Sequence, residues 1–182
     1  MLRSFLNLGG RLLLICLVAA LALSVTYYFT APVVEANELA ASLEARQSIF
    51  PDSDSFTDFT SQEVKDICTQ IGYSKISSVC QSEQGGTLVS ISTNGYNELT
   101  LMVGINPDGT CAGYVVLSST ETSGIGSKVT ESKFMDQFVG LKTPFTYGNG
   151  VDAVSGATLS STAVREAVNY ASAVAQAIGG AK

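Results

Sequence analysis

From Leu12 to Phe29 the chain runs through 18 residues without a charge, and Ala31, Pro32, Val33 and Val34 prolong the apolar character. A stretch of that length matches the hydrocarbon thickness of a bilayer. The chain therefore reads as three parts: a short N-terminus over 1–11, a membrane span over 12–34 and a domain over 35–182. Arg3 and Arg11 precede the run, whereas Glu35 and Glu38 follow it. The bias of basic residues toward the cytoplasmic side keeps the N-terminus in the cytoplasm and exports everything after the span. Tyr27, Tyr28 and Phe29 fall at the outer boundary, where amphipathic rings prefer the headgroup level. A cleaved signal peptide is the competing reading, because Ala20-Leu21-Ala22 has the small-x-small form that a signal peptidase requires. That site falls inside the apolar run instead of after it, which favours an uncleaved anchor. A lipoprotein signal is disfavoured too, since Cys16 follows the bulky Leu13, Leu14 and Ile15.

With Arg3 and Arg11 on the cytoplasmic side, the exported domain keeps eight basic residues against sixteen acidic ones, a net charge of −8. Such a surface repels a phosphate backbone and argues against nucleic acid as a partner. Nor is a metal site indicated. There is no histidine and no C-x-x-C, and cysteines at 16, 68, 80 and 111 lack zinc or iron–sulfur spacing. In an oxidising exterior Cys68 and Cys80 can pair, with Cys111 buried and left over; in a strict anaerobe all three can be reduced core residues.

Beyond the span, a short helix is expected from about Glu38 to Phe50, with Leu39, Leu43 and Ile49 as its apolar face and Pro51 as its stop. Asp52–Thr60 reads as loop. A second helix is expected over Ser61–Ile71, capped by Ser61, with Val64, Ile67, Cys68 and Ile71 inward. The period then changes. Thr87–Ser92 alternates, and Glu98–Ile105 and Thr110–Ser118 form a β-hairpin joined by Asn106-Pro107-Asp108-Gly109. A short helix over Ser132–Phe138 carries Phe134, Met135 and Phe138. Leu141–Tyr147 leads through Gly148-Asn149-Gly150 to the last helix, in which Ala167, Val168, Ala171, Val174, Ala175 and Ile178 recur on one face. Helices before and after a central antiparallel sheet make the domain α+β.

Two polar loops flank that order. Val151 to Thr162 places hydroxyls and Gly156 where a loop turns into the last helix, so the free backbone N–H groups of a helix start gather there and suit a phosphate. Thr158 adds an oxygen that can be esterified. The plain alternative is an N-cap followed by a small-residue turn. About thirty residues earlier, Glu121-Thr122-Ser123-Gly124-Ile125-Gly126-Ser127-Lys128 can bring N–H groups, a hydroxyl and an ammonium to an anionic or planar ligand, or be a simple surface turn. A phosphate at the helix start and a flat apolar body against Ile125, Leu159 and the aromatics would describe a flavin mononucleotide, although this pattern alone does not choose FMN over another phosphorylated ligand.

Four segments, in order, resemble the FMN-binding domain of the G subunit of the Rnf electron-transport complex and of its relative, the C subunit of the sodium-translocating NADH:quinone oxidoreductase. They are the N-terminal anchor; Arg46-Gln47-Ser48-Ile49-Phe50-Pro51; Gly95-Tyr96-Asn97 leading into Val103-Gly104-Ile105-Asn106-Pro107-Asp108-Gly109; and Glu121-Thr122-Ser123-Gly124-Ile125-Gly126 followed by Asp152-Ala153-Val154-Ser155-Gly156-Ala157-Thr158. The resemblance implies FMN joined to Thr158 through a phosphoester made by a flavin transferase outside the cytoplasm. It also implies that Asp152, Ser155, Gly156 and Ala157, with Leu159 and Ser160 beyond them, shape the phosphate end. Glu121, Thr122, Gly124, Ile125, Gly126 and Lys128 would line the other side. The implied function is an electron relay among the membrane subunits of an Rnf-type ferredoxin:NAD+ oxidoreductase that moves Na+ or H+, with no catalytic residue of its own. A stand-alone anchored FMN carrier donating to an extracellular reductase is the alternative. Many members carry a proline after the E-T pair and a histidine shortly before it, where this chain has Ser123 and no histidine. The chain is also short for the quinone-reductase relative, which tilts the resemblance toward the Rnf complex.

Overall fold

A computed structural model describes residues 2–148 and 151–179; the Asn149-Gly150 step of the link before the last helix lies outside it, as do the side chains of residues 2–8 and of Glu35. Two compact units divide these residues, one ending at Ala41 and the other starting at Ser42. The first unit belongs to α1 (Leu2–Ile49), and from Gly9 onward this helix is long and apolar enough to cross a membrane. Its side chains from Leu12 to Phe29 are exposed, as lipid-facing residues would be. Pro32 removes one N–H donor without ending the helix. The separate helix expected over Glu38–Phe50 is therefore a continuation of α1, because Glu35, Ala36 and Asn37 are all tolerated in helical geometry.

The second unit is built on a five-stranded antiparallel meander in chain order: β1 (Phe56–Asp58), β2 (Ile76–Ser82), β3 (Thr87–Asn94), β4 (Glu98–Ile105) and β5 (Cys111–Ser119). The β4–β5 hairpin closes as expected, with Asn106 N–H donating to Thr110 O at 2.8 Å and Gly109 N–H to Asn106 O at 2.9 Å. Two strands lie outside the sequence reading. β1 occupies part of the expected Asp52–Thr60 loop and is only three residues long, too short for an alternation to register. β2 is rich in serine and carries a bulge between Ile76 and Ser78, which breaks its period of two.

One face of the sheet buries Val79, Val89, Ile91, Leu101 and Val103 against α2 (Ser61–Ile71) and α4 (Thr158–Ala177). Helix α2 spans the expected residues, but Thr60 caps it and not Ser61. The reason is a reciprocal capping box: Thr60 N–H donates to Glu63 Oε2 at 2.7 Å, while Glu63 N–H donates back to Thr60 Oγ1 at 3.4 Å. The helix expected over Ser132–Phe138 splits into α3 (Ser132–Met135) and a 3₁₀ turn over Asp136–Phe138, with Phe134 and Phe138 buried and Met135 half-buried. Phe138 stands edge-on to both Tyr114 and Phe145.

The opposite face buries Cys80, Leu88 and Met102 under the end of α1. The inward residues there are Ala45, Arg46, Ile49 and Phe50; Leu39 and Leu43, expected to face inward, are exposed. Small Ala45 lets the helix approach closely, and Ile49 packs where any side chain on Gly104 would collide. Arg46 lays its guanidinium 6.0 Å from the Phe56 ring centre and binds Asp58 with both terminal nitrogens, at 2.7 and 3.2 Å.

All four cysteines are free. A Cys68–Cys80 bond is ruled out by topology, since Cys68 packs with the α2 and α4 layer and Cys80 points to the opposite side of the sheet. Burial pushes the Cys80 thiol from 9 up to about 11 and the Cys111 thiol up to about 12. At pH 8 the thiolate fraction of Cys80 is then about a hundredfold below that of an ordinary thiol. Among the three cysteines of the second unit, iodoacetamide on the detergent-solubilised chain at pH 8, read by peptide mass, is expected to label half-buried Cys68 first and to reach folded Cys80 and Cys111 at least about a hundredfold more slowly.

Candidate functional site

Three segments of the second unit meet at one end of the sheet. The first is the β3–β4 turn, Gly95-Tyr96-Asn97. Gly95 N–H donates to Asn97 O at 2.9 Å, and Asn97 is held from both sides: its N–H donates to Glu121 Oε1 at 3.2 Å and its Nδ2 to Thr120 O at 2.9 Å. The second begins with Glu121, whose carboxylate turns inward between Gly95 and Gly126, where a Cβ on either glycine would collide with it. Gly95 also lies against the Cα of Ser160, so glycine is what lets this turn touch the start of α4. Glu121 Oε2 is buried and has no hydrogen-bond partner among the described residues. Beyond it, Ser127 N–H and Ile125 N–H both donate to Thr122 O, at 3.2 and 3.3 Å. This closes the loop into a 3₁₀ turn over Gly126–Thr130, which Tyr114 ties to the sheet by donating its hydroxyl to Val129 O at 2.6 Å.

The third segment is the turn into α4. Ala157 N–H donates to Val154 O at 3.0 Å, with Gly156 at φ +81°, the left-handed position that a type II turn reserves for glycine. Buried Ser161 fixes the turn to the helix by accepting from Val154 N–H at 3.0 Å through its Oγ and from the Tyr147 hydroxyl through its carbonyl. Burial raises the Tyr147 hydroxyl to about 12, against a lowering by Arg165, so it remains a donor throughout the physiological range. Helix α4 starts at Thr158, earlier than the apolar repeat from Val164 indicates, with Ala157 at the N-cap and no side-chain cap. The plain N-cap explanation of the hydroxyl run thus fails: the first-turn N–H groups of Thr158, Leu159 and Ser160 have no partner among the described residues.

These segments enclose a cavity of about 440 Å³, within the roughly 300–1,000 Å³ of small-molecule sites. Glu121, Thr122, Ile125 and Gly126 form one wall; Gly156, Ala157, Thr158, Leu159 and Ser160 form the other. Thr158 is exposed and Ser160 is buried. Four of the expected site residues lie outside this lining. Ser155 is an exposed residue of the turn, Gly124 sits in open space on the loop, and Asp152 and Lys128 line a separate cavity of about 550 Å³ with Lys133, Phe134 and Gln137. Tyr96, absent from the expected set, completes the first cavity. Its signal in the sequence is a bulky aromatic flanked by Gly95 and Asn97 in a turn between two strands.

No lysine or arginine lines the cavity. An anion there would be met by the α4 N–H groups and the positive end of the helix dipole. The rest of the lining is largely apolar, broken by the Thr122 and Tyr96 hydroxyls and one unmatched carboxylate oxygen. The arrangement suits a phosphorylated ligand that has a flat apolar part and hydrogen-bond donors. Among the described residues no group of histidine, cysteine or carboxylate side chains is placed to hold a metal.

Residues 95–173 match the FMN-binding domain family, a span that contains both walls and Tyr96. Three relatives are similar over most of the chain. The G subunit of the Na(+)-translocating ferredoxin:NAD(+) oxidoreductase complex of Acetobacterium woodii is 30% identical over 93% of this chain and 91% of its own length. The G subunit of the ion-translocating oxidoreductase complex of Methanosarcina acetivorans is 32% identical, covering 88% of each. The G subunit of the proton-translocating ferredoxin:NAD(+) oxidoreductase complex of Clostridium ljungdahlii is 25% identical over 88% of this chain and 86% of its own.

Proposed function

Because the chain belongs to the family of G subunits of ion-translocating oxidoreductase complexes, we propose that it is the FMN-carrying electron relay of a ferredoxin:NAD+ oxidoreductase coupled to Na+ or H+ movement. The observation that carries this reading is the cavity itself, where an exposed threonine hydroxyl at an uncapped helix start meets an apolar wall inside the span matched by the FMN-binding family. FMN fits the donor set. The N–H groups of Thr158, Leu159 and Ser160 would hold its phosphate and the apolar side chains would hold its ring; a ligand N–H or O–H reaching Glu121 Oε2 would relieve an unmatched acceptor that costs about 1–3 kcal/mol.

Thr158 Oγ1 would carry the phosphoester that tethers the cofactor: in the flavin transferase its oxygen bonds to the phosphorus of an activated flavin phosphate as the hydroxyl proton is lost and the bond from phosphorus to the donor's leaving group breaks. Because Thr158 is exposed and Gly156 stands in open space, the attachment segment is reachable by a second protein. When bound, FMN supplies the redox chemistry; the chain supplies position and surroundings. The N-terminus lies in the cytoplasm, α1 anchors the chain, and the domain from residue 35 works on the outer side, where a tether prevents loss of a cofactor that the cytoplasmic pool cannot easily replace.

The test is purification of the tagged full chain from its own membranes in mild detergent. Other membrane subunits are expected to co-purify with it, together with ferredoxin-dependent NAD+ reduction and flavin fluorescence on its band in a denaturing gel. A fluorescent chain that purifies alone defeats the complex reading and leaves a stand-alone carrier. A chain without fluorescence in a preparation that reduces NAD+ defeats the covalent FMN.

A further inference from the structure

We propose that Tyr96 is the residue that stacks against the isoalloxazine ring and sets its surroundings, an inference that rests on FMN occupying this cavity. Outside α1, the large apolar side chains left exposed among the described residues are Tyr96, Ile125, Val139 and Leu159. Three of these four line the one cavity, and they come from three separate segments. Single exposed apolar residues are ordinary on a protein surface; convergence from unconnected segments marks a binding surface for an apolar group. Thr158 stands on the wall beside Leu159, so a ring carried on that tether has these side chains as its neighbours.

Tyr96 is the aromatic member of the three. Its two neighbours in the chain are fixed, Gly95 by its contacts with Ser160 and Glu121 and Asn97 by three hydrogen bonds. The phenol itself is 72% exposed, and its hydroxyl makes no hydrogen bond among the described residues. A pinned backbone thus presents a flat side chain that takes no part in the core. Aromatic rings prefer an offset stack with another π-system, which a flavin provides and an aliphatic ligand does not.

Flavin emission is strongly quenched by an oxidisable aromatic side chain in contact, a phenol or an indole, which passes an electron to the excited ring and takes it back; this gives a readout independent of electron transfer through a complex. The full chain is co-expressed with a flavin transferase as wild type, Tyr96→Leu and Tyr96→Trp. Emission of the native, detergent-solubilised protein is divided by that of the same sample denatured in SDS, which counts the attached flavin. The wild type is expected to be quenched in the native state, Tyr96→Leu to raise the ratio several-fold, and Tyr96→Trp, which keeps an oxidisable ring, to keep it low. A Tyr96→Leu ratio equal to that of the wild type, or a wild type without native quenching, overturns the assignment. Absence of flavin from denatured wild type instead defeats the FMN reading on which it rests. Because Tyr96 lies outside the core, the wild type and the two variants, each prepared without flavin, are expected to unfold at the same temperature.

Discussion

Thr158→Ala abolishes flavin fluorescence of the denatured chain, and its unfolding temperature equals that of wild type prepared without flavin. These two outcomes are linked by the way α4 begins. Had Thr158 been an N-cap, its loss would cost about 0.5–2 kcal/mol, and a missing flavin could be blamed on a frayed helix. Instead Ala157 occupies the cap, and the Thr158 side chain makes no hydrogen bond among the described residues. Replacement of such a surface side chain stays within about 0.5 kcal/mol. The variant therefore removes an oxygen and little else.

Other hydroxyls near the site are poor substitutes. Ser160 is buried, Ser161 is buried and already engaged with Val154, and Ser155 lies outside the cavity lining. Thr122, exposed on the facing wall, is the one rival aliphatic hydroxyl in the lining. The experiment separates them: co-expression with a flavin transferase followed by in-gel fluorescence is expected to show a dark Thr158→Ala band and a bright Thr122→Ala band. Thr158→Ser, which keeps an oxygen at the same place, is expected to retain signal. A bright Thr158→Ala band would move the tether to another residue, with Thr122 the first to test.

The parts of this site differ in how plainly the sequence announces them. The Val154–Thr158 turn and the Glu121–Gly126 loop are short contiguous strings in which glycine and hydroxyls stand together, so both are visible before any fold is known. Their meeting is not visible, because it depends on the close approach at Gly95, which stands in a segment that carries the family resemblance but gives no sign there that the fold sets it against Glu121 and Ser160. Tyr96 is hidden for the same reason. In the fold, the strands of the β4–β5 hairpin and the helix over Ser61–Ile71 are legible from local pattern. The Thr60 cap is in principle legible too, since Glu63 is three residues after Thr60, whereas Ser61 has Val64 at that spacing. The inward face of the α1 end is misread because the buried residues include an arginine. Hydrophobic periodicity passes over Arg46, whose burial is made acceptable by Asp58, twelve residues away.

That arginine sets up the second large effect. The Arg46 side chain is 11% exposed and that of Asp58 is 59% exposed, so the two halves of the pair have very different alternatives. Without Arg46 the carboxylate turns to water. Without Asp58 a guanidinium stays buried beside Phe56, with Nε already lacking a partner among the described residues. Asp58→Ala is expected to cost about 2–3 kcal/mol, below the roughly 3–5 kcal/mol of a fully buried pair because water already reaches the Asp58 side. Arg46→Met, which keeps the apolar stem, is expected to cost under about 1.5 kcal/mol. For a chain of this size the first corresponds to a fall of roughly 5–10 °C in unfolding temperature. The double variant is expected to lie nearer Arg46→Met than Asp58→Ala, since the stranded charge has gone. Equal losses in the two single variants would place the energy in packing and not in the buried charge. Cys80 offers an independent check. Burial dominates its raised thiol, Arg46 lowers it and Asp58 raises it further. Alkylation of folded Cys80 should accordingly quicken in Asp58→Ala and slow in Arg46→Met, an opposition of sign that general loosening of the fold would not produce.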